Sequence, residues 1–430
     1  MKGKLKISEF NRHVLTVMTG TALAQALPVL ASPWLTRIFS NEQFGVFTLY
    51  YSTSNIFALL ATLRYEMAIM LPEKKKEAFN VFGLSVLIAL TTTIISIPLV
   101  LLLRTNLAQW FHEPGVIHIF LFIPASVLFT GIYMSGYYWL LRHKQYKKVS
   151  IARFVQNFIW ISSSIALGYM GYKNGGLIYG LIAGQFLSAA IVVIWILLDG
   201  EKEEMKIDRQ LLKQLAIRFK NFPGINALHA LVDAVQLNGI TYLLSAFYGN
   251  GILGFYAIAF RTLRAPLAMI GAAMSQVLFQ RFSEAHNTGK PIKPLVWNSI
   301  RTLFFIGIIP FVVLFFAGPW LFKIAFGSEW EMAGRFAQIL TPWLFFNFIL
   351  SPISQLPNVL QRQGKYFLIT LLANLLAFAA LSIVALNYFQ VEYALFAYSV
   401  CMTLFSIILI RWKYNLSHLR DQKLLPEQVY

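Results

Sequence analysis

Runs of about 20 apolar residues recur along almost the whole chain, the length an α-helix needs to cross the hydrocarbon core of a bilayer. We place them near 14–38, 46–71, 80–103, 116–141, 150–171, 177–198, 225–248, 254–279, 302–322, 336–356, 367–388 and 393–411. The expected class is therefore an all-α integral membrane protein of about twelve transmembrane helices. Composition agrees: 57% of the 430 residues are hydrophobic and 13% charged, against roughly a quarter charged in soluble domains. The segment at 46–71 is interrupted by Arg64 and Glu66. The first apolar stretch shows no small-residue cleavage site and outruns a signal peptide, so it is read as retained. The single cysteine, Cys401, excludes an intramolecular disulfide and a thiolate metal cluster and is read as a packing residue.

A net charge of +18 would suit nucleic acid, but the basic residues are distributed for another purpose. With the chain starting inside, Lys2, Lys4, Lys6, Arg12, Lys74, Lys75, Lys76, Arg142, Lys144, Lys147 and Lys148 fall in the cytoplasm. So do Lys202, Lys206, Arg209, Lys213, Arg218, Lys220, Arg281, Lys290, Lys293, Arg362, Lys365, Arg411, Lys413, Arg420 and Lys423. The opposite side holds Arg37, Arg104, Lys173, Lys323 and Arg335. That bias places both termini in the cytoplasm and calls for no nucleic-acid partner; the charge sets topology and touches anionic lipid headgroups.

The longest polar connection divides the chain into a lobe at 1–198, a cytoplasmic linker at 199–222 and a lobe at 223–430. In the linker, Leu211, Leu212, Leu215, Ala216 and Phe219 recur at helical spacing among Arg209, Lys213, Arg218 and Lys220, the pattern either of an interfacial helix or of a solvated linker helix. The outer loops are short, so no external domain is expected. Gly45-Val46-Phe47-Thr48-Leu49 and Gly254-Phe255-Tyr256-Ala257-Ile258 open the second and eighth segments in the same sense, which suggests a parallel internal repeat.

Polar residues inside the spans form stripes. Thr48, Ser52, Asn55, Thr62 and Glu66 follow one another at helical steps, with Leu59 in the gap; Asn226, His229, Asp233 and Gln236 share a face; so do Thr21, Gln25, Pro28 and Ser32. Arg261 and Arg264 lie with the small residues Ala268, Gly271 and Ser275. By the offset of the repeat, Ser52 and Asn55 correspond to Arg261 and Arg264, and Gln25 falls within a residue of Asp233. Such stripes face protein or a water-filled cavity, and matching stripes in two halves suggest one central cavity. Hydrogen bonding between helices is the plain alternative for the Ser, Thr and Asn positions. An ion pair with Asp233 is the alternative for the arginines, although one carboxylate cannot neutralise two guanidinium groups. Arg64 and Glu66 could simply anchor the second helix at the interface. If Arg261, Arg264, Arg64 and Arg37 serve the cavity, it suits an anionic, phosphorylated substrate, because Arg binds phosphate bidentately and stays charged.

Thr19-Gly20-Thr21-Ala22-Leu23-Ala24-Gln25, Leu35-Thr36-Arg37 leading to Phe44-Gly45, Arg64-Tyr65-Glu66-Met67-Ala68, and Phe255-Tyr256-Ala257 through Arg264-Ala265-Pro266-Leu267 resemble the O-antigen flippases. These form the polysaccharide-biosynthesis branch of the multidrug/oligosaccharidyl-lipid/polysaccharide (MOP) exporter superfamily. The resemblance implies two six-helix lobes forming a V, as in the MATE transporters, and a polyprenyl-pyrophosphate-linked oligosaccharide carried across the bacterial inner membrane. On it, Arg261 and Arg264 hold the pyrophosphate, while Ser52, Asn55, Gln25 and Gln236 face sugar hydroxyls. It also implies no cofactor, leaves coupling to a Na+ or H+ gradient open with Asp233 and Glu66 as carriers, and suggests contact with a polymerase and glycosyltransferases around a monomer. The rivals are a cation-coupled drug or metabolite exporter, disfavoured by the arginines, and a membrane-embedded polymerase or glycosyltransferase, disfavoured by the short outer loops and the lack of a catalytic motif. A scaffold or receptor would leave the stripes unexplained.

Overall fold

The computed structural model describes residues 23–110, 116–199, 206–387 and 390–422. Thr19 through Ala22, Lys2, Lys4, Lys6, Arg12, Lys202 and Lys423 lie outside the described residues, as do the side chains of His229 and Arg104. The described chain is helical, in two compact units, Met1–Gly254 and Phe255–Tyr430. The linker and the seventh expected span therefore fall within the first unit.

In the first unit a helical stretch at 23–30 turns at Ala31 into α1 (Ser32–Ile38). Then come α2 (Asn41–Leu60), the single turn α3 (Tyr65–Ala68), α4 (Lys75–Trp110), α5 (Val116–Phe120), α6 (Ile123–Arg142), α7 (Tyr146–Tyr169), α8 (Gly176–Asp199) and α9 (Arg209–Arg218). α10 (Ala227–Asn287) contains a break at Gly249, whose φ of 80° ends one limb and starts the next. The second unit continues with α11 (Lys293–Phe326), α12 (Glu331–Leu350), α13 (Leu356–Val359), α14 (Gln363–Asn387) and α15 (Val391–Gln422). Among the described residues seven helices are long and apolar enough to cross a membrane, or eight if Ser328–Leu350 and Pro352–Val359, bent by 51°, form one broken span. The second limb of α10 and the more polar α2 and α7 supply three more of the expected segments, and the first, 14–38, is described only from residue 23, so the described residues are consistent with the expected twelve.

Local chemistry explains the ends. Ser40 and Gln43 form a capping box that starts α2. Asp208 caps α9 through the Gln210 and Leu211 amides. Arg142 donates to the carbonyls of Ile69, Pro72 and Glu73, closing the chain that follows α3. In the second unit Asp421 accepts from the Ile292 and Lys293 amides at 2.9 and 2.8 Å, while Arg420 binds the Ala285, His286 and Lys290 carbonyls at the end of α10. Basic residues that the charge bias assigns to topology thus also tie helix ends together.

The apolar face of α9 is covered by protein. Leu215 and Phe219 are buried against Tyr65, Ala68, Ile69, Val81 and Leu84, with Leu211, Leu212 and Ala216 packed around them. Arg218 pairs with Glu77 at 3.2 Å and Lys76 with Asp208 at 3.8 Å, which fixes α9 to the start of α4. The second unit has its own core of Leu278, Phe282, Ala285, Ile292, Val296, Leu350, Ile353, Leu356 and Leu409. Large apolar side chains such as Leu102, Ile309, Phe316 and Trp320 stand exposed along α4 and α11, as lipid-facing surfaces require.

Candidate functional site

The second expected span is not one helix. α2 ends at Leu60, and Ala61 to Arg64 form tight turns before α3 begins. Leu63 and Arg64 both adopt the left-handed conformation, at φ 47° and 66°. Neither is Gly or Asn, so each carries a strain of about 1–2 kcal/mol. A buried charge supplies the reason. Glu66 is 2% exposed; its carboxylate accepts from the Thr62 hydroxyl and pairs with the Arg64 guanidinium at 3.6 Å. In a regular helix, positions i and i+2 lie about 200° apart and cannot face each other. Only the break lets Arg64 reach Glu66. Thr92 of α4 stabilises it further by donating to the Ala61 carbonyl at 2.7 Å. The Arg64 side chain remains 24% exposed while paired.

The other stripe residues of the first unit divide by accessibility. Ser52 is 3% exposed and packed among protein, whereas Asn55, one turn on, is exposed. Gln25 and Arg37 are exposed, with Arg37 donating to the Pro33 carbonyl. Asp233 is exposed on the first limb of α10. Gln236, half-buried, has an amide nitrogen with no hydrogen-bond partner among the described residues. Thr53 and Tyr242 share a hydrogen bond at 3.2 Å, joining α2 to the same limb.

The sequence reading missed a buried polar chain in this unit. The Tyr50 hydroxyl and Ser126 lie 2.8 Å apart, and Ser126 donates to Gln185 at 2.8 Å, linking α2, α6 and α8. The signal was present: Gln185 is a lone amide in the otherwise apolar run of α8. It also missed the partner of the repeat glycines. A Cβ on Gly45 would meet the Asn250 carbonyl oxygen at 1.8 Å, and one on Gly254 would meet the Asn41 carbonyl oxygen at 1.8 Å. Asn41 and Asn250 each precede their glycine by four positions, so the two helix starts cross with reciprocal, backbone-to-backbone contact.

In the second unit Arg261 and Arg264 lie 12 and 15 residues past Gly249 on a helix running to Asn287, about 18–23 Å along the axis. Arg261 is half-buried and Arg264 exposed. The Arg264 guanidinium stands 5.3 Å from the Phe260 ring centroid. Phe260 in turn stacks on Tyr256 at 5.4 Å and on Trp343 at 5.7 Å, both at 12°, and Tyr398 meets Trp343 edge-on. Tyr256, Phe260 and Arg264 recur every four residues, so one helix face builds the shelf that holds the guanidinium. The Tyr256 hydroxyl and the Trp343 indole N–H are buried without a hydrogen-bond partner among the described residues. A held but exposed guanidinium at this depth can accept an anion bidentately.

Helices this long and apolar, several carrying charged side chains, define a multi-pass membrane protein. The profile of the family described as polysaccharide biosynthesis protein matches residues 34–335, and the chain belongs to that family. Its fold is that of the MOP superfamily. A multidrug-resistance MATE family transporter of that superfamily in an inward-facing conformation is 13% identical, with a TM-score of 0.69 over 94% of this chain and 96% of the other. The lipid II flippase MurJ in an inward closed conformation is 15% identical, with a TM-score of 0.68 over 95% and 90%. A MOP transporter from Pyrococcus furiosus, described as having a binding pocket of reversed polarity, is 13% identical, with a TM-score of 0.64 over 96% and 95%. No curated protein matches the sequence.

Proposed function

We propose that this protein is a flippase that carries a polyprenyl-pyrophosphate-linked oligosaccharide, an O-antigen or similar surface-polysaccharide repeat unit, across the bacterial inner membrane by alternating access. The observation that carries this reading is the pair Arg261 and Arg264 on the long helix α10, with Arg264 held over Phe260 and exposed. The exposed Arg264 guanidinium presents a planar fork of donors that stays charged, and a pyrophosphate matches it bidentately. Family membership favours a substrate of polysaccharide assembly, and a solved protein of the same fold is a lipid II flippase. The basic connections support cytoplasmic termini.

Arg261 and Arg264 are assigned to the pyrophosphate, with Asn55, Gln25 and Gln236 offered to sugar hydroxyls. Ser52, sealed by protein, is assigned to helix packing in the conformation described. Asp233, exposed on the first limb of α10, and Glu66, buried beside Arg64 and Thr62, are the two carboxylates assigned to Na+ or H+ coupling.

The test is complementation by an Arg261→Ala/Arg264→Ala double variant in a strain lacking the gene. Loss of surface polymer with normal membrane insertion supports the reading. Full polymer in that variant removes the arginines from the mechanism.

A further inference from the structure

Arg64 cannot pair with Glu66 and also sit in a regular helix, because residues two apart point to opposite sides. The break at 61–64 and the ion pair are therefore alternatives to a continuous helix over α2 and α3. The broken form leaves Leu63 and Arg64 in the left-handed region, so it persists only while something demands it. That demand is the Glu66 carboxylate, buried and in need of a cation. The Thr62–Glu66 contact, at i and i+4, is compatible with either form. The guanidinium is the accessible partner: its side chain is 24% exposed against 3% for Glu66.

We propose that Arg64 is a two-position latch on the second transmembrane segment. Paired with Glu66 it holds the segment broken; drawn to the phosphate of an anionic ligand it leaves Glu66, and residues 61–64 close into continuous helix. Relief of the strain in the left-handed residues offsets part of the cost of leaving Glu66 unpaired and the ligand's hold on Arg64 supplies the rest, so ligand charge is converted into a change of helix shape. The identity of the ligand rests on the flippase reading above; the coupling between ion pair and helix break does not. The groups around the latch are few. Tyr138 of α6 lies within electrostatic reach of both Arg64 and Glu66, and Thr92 of α4 is the other polar side chain bound to the break. On the neighbouring elements Glu77 is taken up by Arg218 and Arg142 by the carbonyls after α3.

The experiment is a spin-label distance across the break, with labels on cysteines at the exposed positions Tyr51 and Leu71 in a Cys401→Ser background. A helix continuous through Ala68 sets Tyr51 and Ala68 about 25 Å apart along the axis, with the Leu71 label three residues beyond; the broken segment gives a different distribution. Glu66→Gln, which keeps the shape and removes the charge, is expected to shift the population to the continuous form without ligand. Saturating inorganic pyrophosphate is expected to shift the wild type the same way and to leave the distribution of Arg64→Ala unchanged. A Glu66→Gln distribution identical to the wild type overturns the latch, and needs no ligand to do so. A wild-type distribution unmoved when the phosphorus resonance shows pyrophosphate bound overturns the phosphate trigger. Either failure leaves the flippase reading to its own test with Arg261 and Arg264.

Discussion

The carbonyl oxygen of Asn250 occupies the place where a side chain on Gly45 would begin: a Cβ there would stand 1.8 Å from it. Gly254 has the same relation to Asn41, and Asn41 is held from the other side by its side-chain bond to the Gly251 carbonyl at 3.3 Å. Both near atoms are backbone, so neither can swing aside as a flexible side chain would.

Gly45→Ala and Gly254→Ala should each destabilise the protein by about 1–3 kcal/mol, the scale of overpacking in a closed contact. The double variant should lose less than the sum, because both act at one crossing. Thermal unfolding in detergent measures this; an unchanged midpoint for either single variant would show that the helices separate freely.

Arg264→Lys should keep the positive charge and still reduce translocation about tenfold, through loss of the planar fork that stacks on Phe260 and grips phosphate bidentately. Flipping measured in proteoliposomes decides this, and wild-type rates would reduce the role of Arg264 to charge alone.

The apolar spans were legible because they rest on length and periodicity, which a sequence displays directly. Arg261 and Arg264 sit where helical spacing put them, and the crossing of Gly45 and Gly254 falls on the repeat motif. The break in the second span was not legible, since Ala61-Thr62-Leu63-Arg64 contains no Gly or Pro and its cause is a three-dimensional demand for charge at Glu66. The linker helix was legible as amphipathic, but sequence could not say what covers it; α4 and the turn at Tyr65–Ala68 supply the apolar partners. Lys413, counted among the cytoplasmic basic residues, is fully buried, its ammonium 4.4 Å from the Tyr366 ring centroid.

That lysine gives a further expectation. Its ammonium has no hydrogen-bond partner among the described residues, so the desolvation cost is offset chiefly by the aromatic face. Lys413→Met should be neutral or stabilising by about 1 kcal/mol, whereas Tyr366→Leu should destabilise by about 2 kcal/mol. A Lys413→Met variant clearly less stable than the wild type in the same unfolding assay would mean that the lysine has an acceptor of its own.

Asp421→Ala should cost about 1–2 kcal/mol by uncapping the first amides of α11. Because the effect is on a helix start, it should appear as faster hydrogen exchange at the beginning of α11 with the remote end unchanged. Uniform exchange along the helix would contradict the capping role.

The most direct test of the central claim is deletion of the gene in its host, followed by analysis of surface polysaccharide and of polyprenyl-linked intermediates on each face of the inner membrane. The account predicts loss of the polymer with lipid-linked repeat units trapped on the cytoplasmic face, restored by the wild-type gene. Unchanged polysaccharide together with altered sensitivity to cationic compounds would contradict it.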